Sequence, residues 1–317
     1  MKFAGIIGKV SRGSALFILA VMVVLGLLLV VMEYTDAGAI SEVSSEDFAL
    51  DSYDLSQVPD SVREDAHDLA GRVIGHHPQE KGNFVRQLLV TYLEARDKDF
   101  VLFYNPGGWG SSLLKESPGW QSIANGIEAR LNSRGYELLP LSYQRTREGW
   151  LSSLDEISEM AVHYDQKSKT LAARLDFLTR HNPEVRVIVA SESNGGIISD
   201  QVMLLLEDND RIYGIQTGFP FWYHPDSRER MLILNDNGEA PDSFSRGDFP
   251  TIIAANFRTW FGISHSEKSG HIFKVVRAPG HYYSWEQPMV VSKVSDFLDR
   301  ILAGSDVPAV WSGRIGG

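Results

Sequence analysis

Ser193 stands in a run of small and polar residues, SESNGG (191–196), that suits a nucleophile for acyl transfer. A serine hydroxyl is a weak nucleophile at neutral pH, so it needs a base beside it and donors for the oxyanion that forms. The run follows a buried-strand pattern and precedes a helical one, which is the order of a nucleophile elbow. Ser193 is therefore the candidate nucleophile; a polar turn that caps the next helix is the alternative for this run.

Two further runs supply the other parts that acyl transfer needs. The glycine-rich run NPGGWGSS (105–112) follows an earlier strand pattern, where backbone N–H groups could bind an oxyanion. Taken alone, it could equally be a turn without function. The run APGHYYSWE (278–286) follows the last strand pattern and contains His281, the candidate general base. His224 and His265 fit no comparable pattern.

The carboxylate that would orient His281 is less certain. The run NDNGEAPD (235–242), which follows the strand pattern Met231 to Leu234, offers three candidates. One of them must face His281 Nδ1 to fix the tautomer of the ring. We rank Asp242 first, then Asp236, then Glu239; a fourth, Asp248, would require a longer loop.

These runs together resemble those of the α/β-hydrolase superfamily over roughly Phe100 to Leu302. The run around Ser193 is similar to the GxSxG pattern, with Ser191 in place of the first glycine. Pro106 stands where many members carry His. The resemblance implies a mostly parallel, doubly wound sheet with helices on both faces, and the order nucleophile, acid, His along the chain. It also implies that the oxyanion hole is formed by the N–H groups of Gly108 and Asn194.

The apolar patterns beyond Ser61 agree with an alternation of strands and helices. Buried strands are predicted at Phe100 to Tyr104, Glu137 to Tyr143, Val185 to Ala190, Ile212 to Gln216, Met231 to Leu234 and Ile272 to Val276. Helices are predicted at Trp120 to Ser133, Ile157 to Arg180, Gly196 to Leu206 and Met289 to Leu302. Residues 61–305 form the predicted α/β domain, and 306–317 a flexible tail.

Composition excludes several classes of function. The formal net charge of −11 and the absence of a basic cluster argue against nucleic acid as a partner. With no cysteine, the chain has no disulfides and no thiolate chemistry. His76 and His77 with Glu80 could suggest a metal site, but adjacent histidines point apart and no further run completes a ligand shell. We expect neither a metal nor a cofactor.

The N-terminal region indicates a membrane anchor. Ala15 to Met32 contains no charged residue and would span about 27 Å as a helix, close to the hydrocarbon thickness of a bilayer. Basic residues precede it and acidic ones follow, which predicts a cytoplasmic segment 1–14, a transmembrane helix 15–32 and an acidic linker 33–60. The catalytic domain would then be periplasmic or extracellular. A signal peptide, cleaved near Ala39 to release a secreted form, is the alternative.

The sequence therefore predicts a membrane-tethered serine hydrolase that cleaves an acyl ester or thioester through an acyl-enzyme intermediate. The predicted location and the aromatic content favour an apolar acyl substrate, either a small molecule or derived from lipid. Two alternatives remain open: a peptidase or amidase with the same triad, and an inactive hydrolase-like domain that only binds.

Overall fold

Parallel strands form the centre of the fold. The protein was analysed as a computed structural model, which describes residues 42–44, 53–74, 78–145, 159, 164–225, 229–260, 270–272 and 276–305. The main sheet has the strand order β1-β3-β2-β4-β5-β6, and all neighbours are parallel except β1, which is antiparallel to β3. Its strands are β1 Glu42–Ser44, β2 Phe100–Asn105, β3 Leu138–Gln144, β4 Arg186–Glu192, β5 Ile212–Thr217 and β6 Met231–Leu234.

Helices cover both faces of this sheet. The described helices are α1 Asp60–Val73, α2 Pro78–Ala95, α3 Pro118–Asn132, α4 Asp165–His181, α5 Asn194–Leu205, α6 Phe249–Trp260 and α7 Pro288–Ser305. Helices α3 and α7 share one apolar core with the sheet, and α4 and α5 share the core on the opposite face. The predicted α/β architecture, mostly parallel with helices on both faces, is confirmed for the described residues.

The sequence of β2 explains its position inside the sheet. Phe100, Leu102 and Tyr104 belong to the core under α3 and α7, whereas Val101 and Phe103 belong to the core under α4 and α5. Every residue of this strand is buried. A continuous apolar run is typical of a parallel strand covered on both faces, because alternate side chains point to opposite sides.

Helices α1 and α2 form a third layer. Their apolar side chains, including Leu69 and Phe84, pack in a separate core that also contains Phe177 of α4. The cation of Arg174, also on α4, lies over the ring of Phe84 at 4.2 Å from its centroid. This layer lies on the α4 side, and the residues that carry the candidate chemistry come from other elements.

The order of the strands brings two loops together. The chain passes from β2 to β3 in one direction and then returns to place β4 on the other side of β2. Asn105 at the end of β2 is paired in register with Ser191 on β4. The loops that follow β2 and β4 therefore meet at the carboxyl edge of the sheet, which is where open α/β sheets place their ligands.

The prediction of a buried strand at Ile272 to Val276 is wrong. Two short strands, β7 Gly270–Ile272 and β8 Val276–Ala278, pair antiparallel in a separate small sheet. Asn256 of α6 explains part of the difference: its amide donates to Arg277 O at 2.9 Å and accepts from Arg277 N at 2.9 Å. The helix side chain thus takes the place of a neighbouring strand.

The structure describes residues 42–44 and 53–60 of the predicted linker. Glu42–Ser44 pairs with the edge strand β3, using backbone hydrogen bonds that need no apolar side chain. Closer to α1, Val58 is buried in the core of the third layer. The helix predicted from Ile157 begins at Asp165, and residues 157, 158 and 160–163 lie outside the described residues.

The predicted membrane span, Ala15 to Met32, also lies outside the described residues, as do His76, His77 and the tail 306–317. Among the helices that the structure describes, none combines the length and apolarity needed to cross a bilayer.

Candidate functional site

Ser193 lies in a sharp turn between β4 and α5. Its backbone has φ 51° and ψ −124°, a conformation that side-chain-bearing residues seldom adopt and that costs about 1–3 kcal/mol. Two hydrogen bonds hold the turn: Ser193 N donates to Thr217 O at 2.9 Å, and Gly196 N donates to Ser193 O at 2.8 Å. Such strain at one serine, at the end of a central strand, is what a nucleophile elbow requires.

Close backbone contact explains the glycines on both sides of this turn. A Cβ on Gly195 would collide with Asn105 O and lie 2.7 Å from Pro106 O. A Cβ on Gly107 would lie 3.1 Å from the Cβ of Ser193. The elbow and the glycine-rich loop after β2 therefore approach each other so closely that side chains do not fit between them.

Ser191 and Ser193 have different surroundings. Ser191 is fully buried, and within the described residues its hydroxyl has no hydrogen-bond partner. Ser193 lines a pocket, together with His281. Of these two serines, Ser193 is therefore the one placed to meet a substrate.

The structure brings His281 and Asp242 together. His281 Nδ1 lies 2.8 Å from Asp242 Oδ2, and both side chains are buried. Gly218, at the end of β5, lies against this pair; a Cβ there would be 2.8 Å from His281 Nδ1. Asp242 thus occupies the position from which a carboxylate fixes the tautomer of the imidazole and leaves Nε2 free to act as a base.

A dense set of donors holds the carboxylate of Asp242. Its Oδ1 accepts from the backbone N–H groups of Phe244 at 2.9 Å and Ser245 at 3.0 Å. Its Oδ2 accepts from the hydroxyl of Ser245 at 3.0 Å and that of Tyr283 at 2.8 Å, in addition to His281. Sequence reasoning missed Ser245 and Tyr283; their only signal was proximity in sequence to Asp242 and His281.

The other candidate acids lie elsewhere. Asp236 accepts from Gly238 N at 2.8 Å in its own turn and faces Arg246 at 3.5 Å. Glu239 is exposed. Asp248 accepts from Thr251 N at 3.2 Å, near the start of α6. None of these three is hydrogen-bonded to His281 in the described part of the chain.

The electrostatics of the buried pair favour a charged imidazole. Burial lowers the pKa of His281, but the hydrogen bond and charge of Asp242, with a smaller effect of the Glu192 charge, raise it above its usual value. Burial raises the pKa of Asp242, but the hydrogen bonds and charge of its neighbours, His281 foremost, bring it below its usual range. The pair therefore stabilises the imidazolium that forms when a base takes a proton.

The two predicted oxyanion donors come from the two loops that contact each other: Gly108 from the glycine-rich loop and Asn194 from the elbow. Asn194 is the first residue of α5, so its backbone N–H has no acceptor within the helix. Gly108, which lines the pocket, has φ 57° and its carbonyl accepts from Asn194 Nδ2 at 3.4 Å. A helix N-terminus carries a partial positive charge that favours an anion. The arrangement is suited to stabilising negative charge beside Ser193.

Arg145 and Asn105, which sequence reasoning did not identify, hold the glycine-rich loop in place. The guanidinium of Arg145 is fully buried and donates to Asn105 Oδ1 at 2.9 Å, to Pro106 O and to Gly108 O at 3.1 Å. Asn105 in turn donates to Gly195 O at 2.8 Å. These bonds connect β3, the glycine-rich loop and the elbow. No sequence pattern marks a buried arginine at the end of a strand.

The pocket above Ser193 is small. Its volume is about 140 Å³, and its lining is Pro106, Gly107, Gly108, Trp109, Ser112, Glu116, Ser117, Glu192, Ser193 and His281. The Ser193 hydroxyl forms no hydrogen bond to His281 within the described residues; such bonds are often long in the absence of substrate. In the same part of the chain, no cluster of His, Cys, Asp and Glu is arranged to hold a metal ion.

Comparison with known proteins gives only distant similarities. No model of a known protein family matches the sequence, and no curated protein matches it. Among solved structures, a Trichoderma reesei cutinase in complex with a phosphonate inhibitor is similar with a TM-score of 0.38 and 10% identity, covering 77% of this chain and 94% of the cutinase. A protein of unknown function from Agrobacterium tumefaciens, proposed to be an α/β-hydrolase, is similar with a TM-score of 0.32 and 17% identity. The similarity covers 67% of this chain and 88% of that protein.

Proposed function

We propose that this protein is a serine hydrolase of the α/β-hydrolase type, which cleaves an acyl ester or thioester through an acyl-enzyme intermediate. The observation that carries the proposal is the buried His281–Asp242 pair, 2.8 Å apart, whose imidazole lines the same pocket as the strained serine Ser193. The proposed nucleophile, base and orienting carboxylate come from separate loops, and Ser193 and His281 line one pocket at the edge of the sheet. That convergence fits acyl transfer better than it fits a purely structural role.

The reaction follows from these positions. Ser193 Oγ attacks the acyl carbon and forms a C–O bond while its proton passes to His281 Nε2. The N–H groups of Gly108 and Asn194 would stabilise the oxyanion. The bond to the leaving oxygen or sulfur then breaks, and His281 returns the proton to that atom. Water next attacks the acyl-enzyme, gives its proton to His281, and releases the acid as Ser193 regains its proton.

The pocket favours one of the two expected substrate classes. A volume of about 140 Å³ leaves room for a short acyl or alkoxy group. Most of its lining residues are glycines or carry polar side chains. These features support a small-molecule acyl substrate over a long lipid chain. We retain the proposal that residues 15–32 tether the domain outside the cytoplasm, which rests on the sequence alone.

Covalent labelling tests the proposal. The full-length protein should react with a fluorophosphonate probe, and Ser193→Ala and His281→Ala should each abolish labelling. Ser191→Ala is the matched control, because it removes a neighbouring hydroxyl that does not line the pocket. Absence of labelling in the folded wild-type protein would contradict the proposed function and favour a domain that only binds. If the protein is labelled but cleaves amides and not esters, the proposed activity would change to that of a peptidase or amidase.

A further inference from the structure

Glu192 precedes the nucleophile and faces the same pocket. It is the last residue of β4, and its side chain is among those that line the pocket with Ser193 and His281. Its Oε2 lies 3.2 Å from the hydroxyl of Tyr104, which donates to it. The proposed mechanism gives Glu192 no role. A carboxylate this close to a reacting serine therefore needs its own explanation.

The charges around the pocket are unbalanced. Glu116 is a second acidic residue in the lining, and one of its oxygens accepts from Leu113 N at 2.9 Å. None of the lining residues that the structure describes is Lys or Arg. The buried guanidinium of Arg145 is engaged by the carbonyls of the glycine-rich loop and by Asn105. The described lining therefore contains two carboxylates, which a bound cation would complement.

The environment of Glu192 also favours a bound cation in the pocket. Burial, the largest influence, raises the pKa of this carboxyl, and the charge of Asp242 adds to the effect. His281 and the Tyr104 hydroxyl oppose the shift without cancelling it. A cationic group in the pocket would stabilise the charged form of this half-buried carboxyl. Trp109 also lines the pocket, and indole rings attract cations.

We propose that Glu192 is a specificity-determining residue that binds a cationic group of the substrate, so that the preferred substrates are acyl esters carrying an ammonium group close to the scissile bond. This inference rests on the proposed serine hydrolase function and narrows its substrate class. A charge-assisted contact inside a protein pocket is stronger than the same contact in bulk water, which makes it selective against neutral esters of the same shape.

Two fluorophosphonates of the same shape test this proposal on the full-length protein. Both carry the same short alkyl chain, which ends in a trimethylammonium group in one probe and in a tert-butyl group in the other. In each reaction the Ser193 oxygen forms a bond to phosphorus, fluoride leaves, and the serine proton passes to His281 and then to solvent. The measured quantity is the ratio of the second-order labelling rates, cationic over neutral, with each rate normalised to hydrolysis of the probe in buffer.

We expect the wild-type ratio to exceed unity and Glu192→Gln to reduce it by about tenfold, because glutamine keeps the shape and removes the charge. Glu239→Gln is the control: it makes the same charge change at an exposed residue outside the pocket and should leave the ratio unchanged. Equal wild-type rates, or a ratio that Glu192→Gln does not alter, would overturn the role of Glu192 while labelling of Ser193 still stands. If neither probe modifies Ser193, both proposals fail.

Discussion

At the scale of single residues, the site depends on how completely Asp242 is held. Its two oxygens accept from two backbone N–H groups, two hydroxyls and the imidazole of His281. A carboxylate with this many donors cannot rotate away from the ring. It stays ionised, because hydrogen bonds to the charged form lower its pKa. The single base orientation that acyl transfer requires is thus determined before any substrate binds.

Asp242→Asn should therefore reduce kcat by about 10³-fold or more, because an amide can present its NH₂ to His281 Nδ1 and stabilise the wrong tautomer. The measurement is the rate of hydrolysis of an activated ester, with circular dichroism to verify folding. Asp236→Asn removes a carboxylate from the same loop, one with no hydrogen bond to His281 in the described part of the chain, and should retain near wild-type activity. A larger loss in Asp236→Asn than in Asp242→Asn would contradict the assignment.

The pH dependence should show the raised pKa of His281. Only the neutral imidazole can accept the serine proton, so activity falls as the pH drops through this pKa. The midpoint of this acid limb is expected above the usual histidine value of 6.5, because Asp242 and Glu192 stabilise the protonated form. Removing the Glu192 charge in Glu192→Gln should move the midpoint to lower pH. Profiles of kcat/KM for the two proteins check this, and a shift to higher pH would contradict it.

The sequence predicted part of this site. Ser193 and His281 could be named because each sits in a short run with its own pattern after a predicted strand. The acid could only be ranked, because the run NDNGEAPD offers three carboxylates and turn geometry decides which one reaches the imidazole. Glu192 is adjacent to Ser193 in the sequence, but its position in the lining of the pocket depends on the fold of the elbow.

At the scale of elements, the site is the contact between two loops at the carboxyl edge of the sheet. Arg145, at the end of β3, binds carbonyls of the glycine-rich loop, and Asn105 connects that loop to the elbow. Apart from the bonds made by the side chain of Asn105, Arg145 contacts backbone carbonyls of the loop, so these contacts do not depend on the other side chains of the loop. The strands were predictable because buried runs have a strong pattern, whereas this network depends on residues far apart in sequence.

Arg145→Lys should reduce kcat by about tenfold to a hundredfold, since lysine keeps the charge but cannot donate to several loop acceptors at once. The loss should appear mainly in kcat, because the loop carries Gly108, a proposed oxyanion donor. Arg134→Lys is a suitable control, as the side chain of Arg134 forms a half-exposed ion pair with Asp299. Steady-state kinetics measures the loss of kcat, and a thermal melt of each variant shows whether the substitution also lowers stability. An unchanged kcat in Arg145→Lys would contradict the positioning role.

Gly195→Ala tests the close approach of the two loops. The added methyl would meet Asn105 O and Pro106 O, so we expect a loss of about 1–3 kcal/mol in the free energy of unfolding, together with lost activity. Gly82→Ala provides the opposite case: it lies in α2 with no atom near the added Cβ, and should stabilise by about 0.5–1 kcal/mol. Denaturant unfolding measures both, and a neutral Gly195→Ala would show that the loops can separate without cost.

At the scale of the whole molecule, the described residues all belong to one unit, Ile40–Gly317, in which α1 and α2 add a third layer to the α/β core. That layer could be predicted only as helical sequence, because its packing partner Phe177 lies on a helix far along the chain. The hairpin β7–β8 was missed for a similar reason: a short apolar run does not reveal whether its neighbour is a strand or the amide of Asn256.

Residues 1–39 carry the prediction that the α/β domain is tethered to a membrane. The uncharged run Ala15 to Met32 is long enough to remain in a bilayer, so the full chain should sediment with membranes and resist extraction at high pH. A chain beginning at Ile40 keeps the whole described unit and should be recovered in the soluble fraction with its labelling of Ser193 intact. Because the tether and the site are separate parts of the sequence, the two measurements are independent. A mature N-terminus at Ile40 in the full-length product would instead show that the apolar run is a cleaved signal peptide.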